Sequence, residues 1–321
     1  MNALNTEDVI LPIDKKLLIS ELTKDRFLRK TNNGNNEIYV ISAVDSPNLM
    51  LEIGRLREIS FRDSGGGTGK STDIDDHDLG DNGFKQLIVW NPEENEIIGG
   101  YRFIDCKNLH IDEKGHVHTP TAKLFGYSEK FIKEYLPYTI ELGRSFVQPA
   151  YQPSKNLRKG MYSLDNLWDG LGALVLDYPD TKYFFGKVTM YGHFDVYARD
   201  LILYFLHKHF PDPDRLVFPH EPLQFKTEIS KLESALNSAN YETDYKNLIQ
   251  LVRSKNENIP PLVNAYMNLS ATMRTFGTAL NASFGEVEET GIIITINDLY
   301  ESKKDRYLNT YIKGQIPKHL I

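Results

Sequence analysis

Glu141 and Arg144 stand three residues apart in the run ELGRSFV (141–147), inside a stretch (139–147) that reads as a β-strand. A carboxylate in such a place can take a proton from an attacking nucleophile, or orient the group that does. A guanidinium offers a planar fork of donors that matches a carboxylate bidentately. On a regular strand alternate residues share a face, so Glu141 and Gly143 point one way, Leu142 and Arg144 the other. The two charges therefore converge on one site only if the backbone is irregular near Gly143, as at a β-bulge. A purely structural reading is also open, in which both are partners in an ion-pair network.

Other segments suggest chemistry and fail on context. SGGGTGKS (64–71) nearly matches the phosphate-binding pattern G-x-x-x-x-G-K-[ST]. Its first glycine is replaced by Ser64, an amphipathic helix precedes it where a buried strand is needed, and STDIDDHD follows with four aspartates that would repel phosphate. Nucleotide hydrolysis is set aside, and the loop 63–83 is expected to be a flexible segment or a lid over a cleft. His116 and His118 share a face of an expected hairpin, and DIDDHD lacks the glycine and distal glutamate of a calcium loop, so no metal site is expected. Cys106 is the lone cysteine and has no nucleophile elbow around it.

The elements that must position these residues follow from periodicity. NEIYVISA (36–43) reads as a strand, and Ser46 and Pro47 open a helix with Leu51, Ile53, Leu56 and Ile59 at helical spacing. QLIVWN (86–91) and EIIGGYRFID (96–105) read as a hairpin joined by PEEN. Ser163 is the expected N-cap of a helix reaching Asp177, with Leu164, Leu167, Trp168, Leu171 and Leu174 on one face. A strand at 182–190 and a helix at 196–210 follow. Beyond Asp212 the chain reads as partly helical (226–252 and 261–276) and ends on the strand GIIITIN. Pro211, Pro213 and Pro219 suggest a boundary near 215, giving a core at 1–215 and a mainly helical extension at 216–321 packed on it. The order of elements is α+β, with a mixed central sheet flanked by helices.

Composition narrows the classes. Hydrophobic residues are 40% and charged residues 25% of 321, an ordinary globular balance. The formal net charge of −7 argues against a nucleic-acid footprint. One cysteine permits no intramolecular disulfide, and the first residues lack the pattern of a secretory signal, so the expected location is the cytoplasm. No apolar run suffices to span a bilayer, so any membrane contact is expected to be peripheral.

Taken together, RLREISFRDS (55–64), DDHD (75–78), QLIVW…IIGGYRF (86–103), ELGRSFV, LDNLWDGLGALV, YFFGKVTM and IPPLVNAYMNLSATM resemble the acyl-carrier-protein-dependent ornithine N-acyltransferases and related hemolysin-like acyltransferases. These are GNAT-type enzymes distantly related to acyl-homoserine-lactone synthases. No single motif is specific; their order and spacing are. The loop 65–83 is longer and richer in Gly and Asp than in the ornithine enzymes and looks more like the subgroup that acylates glycine.

The resemblance implies an amine attacking a thioester carbonyl, with a base and an oxyanion-stabilising group. It implies Glu141 as base or base-orienter, with Arg144 and Arg102 as the positive wall. It places Arg57 and Phe61 along the acceptor, and Asp75 and Asp78 at its ammonium. Arg158, Lys159, Gly160 and Ser163 would meet the donor at a helix entrance, where amides and the dipole favour phosphate. Lys155, Arg158 and Lys159 form a basic cluster suited to an acidic acyl carrier protein. No cofactor is implied: the phosphopantetheine thioester, or acyl-CoA, is a substrate. The expected reaction moves a long-chain (3-hydroxy)acyl group to the α-amine of an amino acid, glycine first, in aminolipid synthesis. Ornithine as acceptor, an acetyl-CoA-dependent acetyltransferase and a non-catalytic acyl-binding protein are the alternatives.

Overall fold

The chain is already structured before the first strand expected from its sequence: helix α1 (Lys15–Glu21) and strand β1 (Phe27–Lys30) precede β2 (Glu37–Ile41) in the computed structural model. The structure describes residues 6–80, 82–109, 111–113 and 115–320. Next come α2 (Pro47–Asp63), β3 (Lys85–Asn91), β4 (Glu96–Asp105), β5 (Phe125–Tyr127), β6 (Thr139–Val147), α3 (Leu157–Gly160) and α4 (Ser163–Asp177). The rest is β7 (Tyr183–Met190), α5 (Val196–His209), β8 (Val217–Pro219), α6 (Ile229–Ala235), α7 (Tyr241–Arg253), α8 (Pro261–Met267), β9 (Arg274–Asn281), β10 (Val287–Thr295) and α9 (Glu301–Tyr307). The fold is α+β.

These elements cluster into two units. One holds Met1–Asp105, Ile140–Thr181 and Glu301–Ile321, the other Cys106–Thr139 and Lys182–Tyr300. Residue 215, where the prolines suggested a boundary, falls inside the second unit, and the chain re-enters the first at 301.

In the first unit β1, β2, β3, β4 and β6 follow one another in space, each antiparallel to its neighbour. Strand alternation then assigns the faces. Gln86 stands opposite Arg102, and Arg102 opposite Gly143, so these three share one side. That side meets α2, whose Arg57 hydrogen-bonds Gln86. The other side meets α4: a Cβ on Gly170 would lie 2.7 Å from Leu87, so the glycine lets the helix settle on β3. Leu167, Leu171 and Leu174 of α4 are buried there, as the helical stripe required.

The start of α2 differs from expectation. Ser46 makes no side-chain cap. Glu21, at the end of α1, does so instead, accepting from Asn48 N at 3.0 Å and Leu49 N at 2.8 Å. A buried carboxylate on the exposed donors of a helix start satisfies both the amides and the dipole. Because it comes from 27 residues before Asn48, no local motif announces it.

In the second unit β7, β10 and β9 form an antiparallel set, and β5 pairs with β8 as a short ribbon. Phe185 anchors its core between Phe131, 5.2 Å away, and Phe276, 6.0 Å away. The segment 261–276 was expected to be one helix; α8 stops at Met267 and β9 begins at Arg274. Gly277, at φ +86°, interrupts the strand alternation and disguises it in the sequence. Likewise 226–252 divides into α6 and α7, because the Asn240 side chain caps α7 through Thr243 N. Among the described residues no helix is long and apolar enough to cross a membrane.

Candidate active site

Helix α2, the segment 64–78 and strands β3, β4 and β6 build a buried charge network within the first unit. Arg57, fully buried on α2, donates to Asp78 at 3.1 Å and to Gln86. Gln86 returns a hydrogen bond to Asp78 at 3.0 Å. Arg102, from the neighbouring strand, reaches Asp75 at 2.9 Å and Asp78 at 3.2 Å. Its guanidinium also lies 5.3 Å from the centre of the Phe84 ring, within cation–π range. Arg144 completes the set, with Nε 2.8 Å from Asp73 and Nη2 3.8 Å from Asp75. Three guanidinium groups thus face three carboxylates, so the wall expected to be positive is neutralised from within.

Burial and pairing pull against each other here. Desolvation alone would raise the Asp78 carboxyl, but Arg57 and Arg102 overcome it and hold Asp78 well below the usual carboxylate range. Asp75 follows the same pattern: burial raises it, and Arg102 more than compensates. Burial lowers Arg57 despite Asp78 and Asp73. For Arg102 burial pulls down and the aspartates prevail, raising it. Pairing thus prevails over burial at Asp75, Asp78 and Arg102, and burial prevails at Arg57.

The backbone irregularity that ELGRSFV demanded is present. Arg102 pairs with Gly143 and Gly100 with Phe146, so β6 carries one residue more than β4 between these pairs. Arg144 takes up the extra length with φ +49°, in the left-handed region. The bulge turns its side chain toward Asp73 and Asp75, on the side of Arg102. Glu141, two residues before Gly143 and opposite Ile104, lies on that same side and is 1% exposed. The convergence of Glu141 and Arg144 on one face follows from a single inserted residue. Gly143 has its own reason: a Cβ there would come within 3.3 Å of Arg102 Nε.

The Gly-rich loop, read as a flexible segment or lid, is instead tied down. Glu58 of α2, fully buried, accepts from Thr68 N at 3.0 Å, Thr68 Oγ1 at 2.7 Å, Gly69 N at 2.7 Å and Arg62 Nε at 2.7 Å. The amides that would cradle a phosphate already hold a carboxylate of the chain itself. Glu7 secures the far side, accepting from Ser71 N at 2.8 Å.

The structure brings Arg57, Asp75, Asp78, Arg102 and Arg144 together, and adds Asp73, Gln86 and Glu58, which the sequence reading did not single out. Phe61 is buried on α2. The donor-side residues lie apart from this cluster. Ser163 does not cap α4; its hydroxyl donates to Tyr151 O at 2.9 Å, and Tyr162 takes the cap position. Gly160 is packed so that a Cβ would meet Pro153 N at 2.5 Å. Lys159 pairs with Glu94 at 3.1 Å and Lys155 with Asp63 at 3.4 Å. Arg158 is exposed, and among the described residues it has no ion-pair partner. His116 and His118 are exposed beside Asp112, at 3.0 and 3.6 Å.

This α+β architecture, with a charged site beside a bulged strand, is that of a GNAT-type acyltransferase, and residues 56–160 match the family model described as Acetyltransferase (GNAT) domain. The chain is 54% identical over 307 residues to the Glycine N(alpha)-acyltransferase of Phocaeicola vulgatus, covering 96% of this chain and 94% of that protein. It is 53% identical over 308 residues to the Glycine N(alpha)-acyltransferase of Bacteroides thetaiotaomicron, covering 96% and 91%. The chain belongs to the family of these glycine N(alpha)-acyltransferases. Among solved structures the AHL synthase LasI aligns over 88% of this chain and 98% of its own, at 11% identity and a TM-score of 0.43.

Proposed function

We propose that this acyltransferase moves a long-chain (3-hydroxy)acyl group from acyl carrier protein to the α-amine of glycine, as a cytoplasmic step in aminolipid formation. The acceptor follows the activity for which the two relatives, more than half identical to this chain, are named. One observation in the site supports the reading. The network is sealed except at one edge, where the side chains of Asp75 and Arg144 are 30% and 16% exposed. A carboxylate and a guanidinium side by side match the ammonium and carboxylate of a free amino acid. Asp78, fully enclosed by Arg57, Arg102 and Gln86, then serves as the support and Asp75 as the acceptor's partner.

In the proposed reaction Glu141 takes a proton from the acceptor's ammonium, directly or through water. The freed amine attacks the thioester carbonyl, a C–N bond forms, the C–S bond breaks, and the carrier leaves as a thiol. Arg144, at the open edge, steadies the negative charge that develops on the carbonyl oxygen, and Arg102 holds Asp75 in place behind it. Arg158 supplies an exposed cation for the acidic carrier.

The test is the purified protein with 3-hydroxyacyl carrier protein and a panel of amino acids, read by mass spectrometry. N-acylglycine and free carrier thiol are the expected products. Acylation of ornithine in preference to glycine, or acetylation from acetyl-CoA alone, would replace this reading. Arg158→Glu should raise KM for the carrier-bound donor and leave the same acyl group on pantetheine unaffected; equal effects would remove Arg158 from docking.

A further inference from the structure

The SGGGTGKS segment is unexplained by the transfer chemistry, and its geometry has a specific purpose. Gly65, Gly67 and Gly69 all have positive φ, at +89°, +99° and +76°. This curls the backbone so that successive amides point inward, the arrangement that elsewhere binds an external anion. Here the anion is the Glu58 carboxylate, which takes three donors from Thr68 and Gly69 and a fourth from Arg62. Gly67 is needed twice: besides its φ, a Cβ there would lie 3.1 Å from Glu58 Oε1. Arg62 adds hydrogen bonds to Lys70 O and Glu7 O.

What this clamp holds lies only a few residues further on. Asp73 N donates to Gly54 O at 3.0 Å, fixing the chain again on α2 one turn earlier. Gly54 leaves room for Ile74, whose Cγ1 would be 2.5 Å from a Cβ at that position. Then come Asp75, whose N donates to Asp78, and Asp78 itself on Arg57. Gly54, Arg57, Glu58 and Arg62 thus make α2 a template along which the whole segment 65–78 is laid down. The three aspartates arrive at Arg57, Arg102 and Arg144 already oriented.

We infer that Glu58 is a positioning residue of the acceptor site: by closing the glycine-rich loop around its carboxylate it sets the placement of Asp73, Asp75 and Asp78. This rests on the proposed acceptor site for its kinetic consequence, and on geometry alone for its structural one.

Two variants and two readouts test it. Glu58→Gln replaces one accepting oxygen with a donor that faces backbone N–H groups. Gly67→Ala pushes the loop off the carboxylate without touching its charge. In both, KM for glycine should rise by about tenfold or more, the scale of loss from small misplacements. KM for the acyl carrier donor should stay within a factor of about two. Simple loss of folded protein lowers the amount of active enzyme and leaves both KM values alone. Hydrogen–deuterium exchange should quicken across the whole of 65–78 in both variants. Should Glu58→Gln fail to fold, Thr68→Val removes a single donor and should show the same pattern more weakly.

Unchanged KM for glycine in both variants, or faster exchange confined to 65–70, overturns the inference. If the wild-type protein acylates no glycine, the proposed function fails, and the exchange measurement still decides the role of Glu58.

Discussion

Arg144 carries a left-handed backbone that costs a residue with a Cβ about 1 kcal/mol. The site retains that strain because the conformation delivers the guanidinium to Asp73 and Asp75. Glu141, on the same strand and almost fully buried, is the group on which proton transfer is proposed to depend. Glu141→Gln keeps the shape and removes the basicity, so turnover should fall by roughly 10²–10⁴-fold with the thermal midpoint nearly unchanged; wild-type rates would take Glu141 out of catalysis. The charged residues of the cluster were legible where they recur in motifs: Arg57, Asp75, Asp78, Arg102 and Arg144. Asp73, Gln86 and Glu58 were not, for different reasons. Asp73 looks like any other loop aspartate until Arg144 is turned toward it. Gln86 sits in an apolar strand with no sign that it has charged partners. Glu58 occupies a helix position whose polarity alone suggests exposure, yet it is buried and satisfied by four donors.

At the scale of elements, strand periodicity carried far. The spans read for β3, β4 and β6 match to within a residue, because their alternation survives in the sequence. That same periodicity required an irregularity near Gly143, and one extra residue in β6 supplies it. Gly143→Ala tests how finely this pair of strands is fitted. The added methyl would sit 3.3 Å from Arg102 Nε and 3.5 Å from its Cγ, so Arg102 must give by a few tenths of an ångström. Stability should drop by no more than about 1 kcal/mol, while activity should fall by about tenfold or more, because Arg102 carries Asp75 and Asp78 with it. A thermal midpoint and a turnover rate on the same preparation decide it; loss of both in proportion would mean general unfolding. Elements set by distant partners were harder to read. The α2 cap comes from α1, and β9 was hidden behind Gly277 and an apolar pattern that fits a helix equally well.

At the scale of the whole molecule, the two units interleave along the chain, which no composition change reveals. The first unit is closed by α9. Its Arg306 and Tyr307 reach Asp165 of α4 at 2.6 and 2.7 Å, and Tyr307 O lies 2.3 Å from where a Cβ on Gly172 would be. Beneath this, Asp169 of α4 is fully buried and accepts from Asn32 N at 2.8 Å. Burial pushes its carboxyl up to about 6, against the pull of the Asn32 amide and Arg29. A folded value above the unfolded one means that Asp169 favours the fold at low pH. That contribution is lost as pH rises from about 4 to about 6. Asp169→Asn removes this dependence, so the stability of the variant relative to wild type should climb over that interval, by at most about 3 kcal/mol. Thermal midpoints measured from pH 4 to 7 would show it, and a constant offset would exclude it. The interleaving also orders events during synthesis. At about 5–20 residues per second, the 119 residues between Thr181 and Glu301 take roughly 6–24 s to emerge. Throughout that interval the strands and helices around the charge network have been made, but the clasp over α4 has not. The nascent enzyme therefore spends roughly a third of its translation with that face of α4 uncovered, and the ribosome rather than the fold sets when it closes.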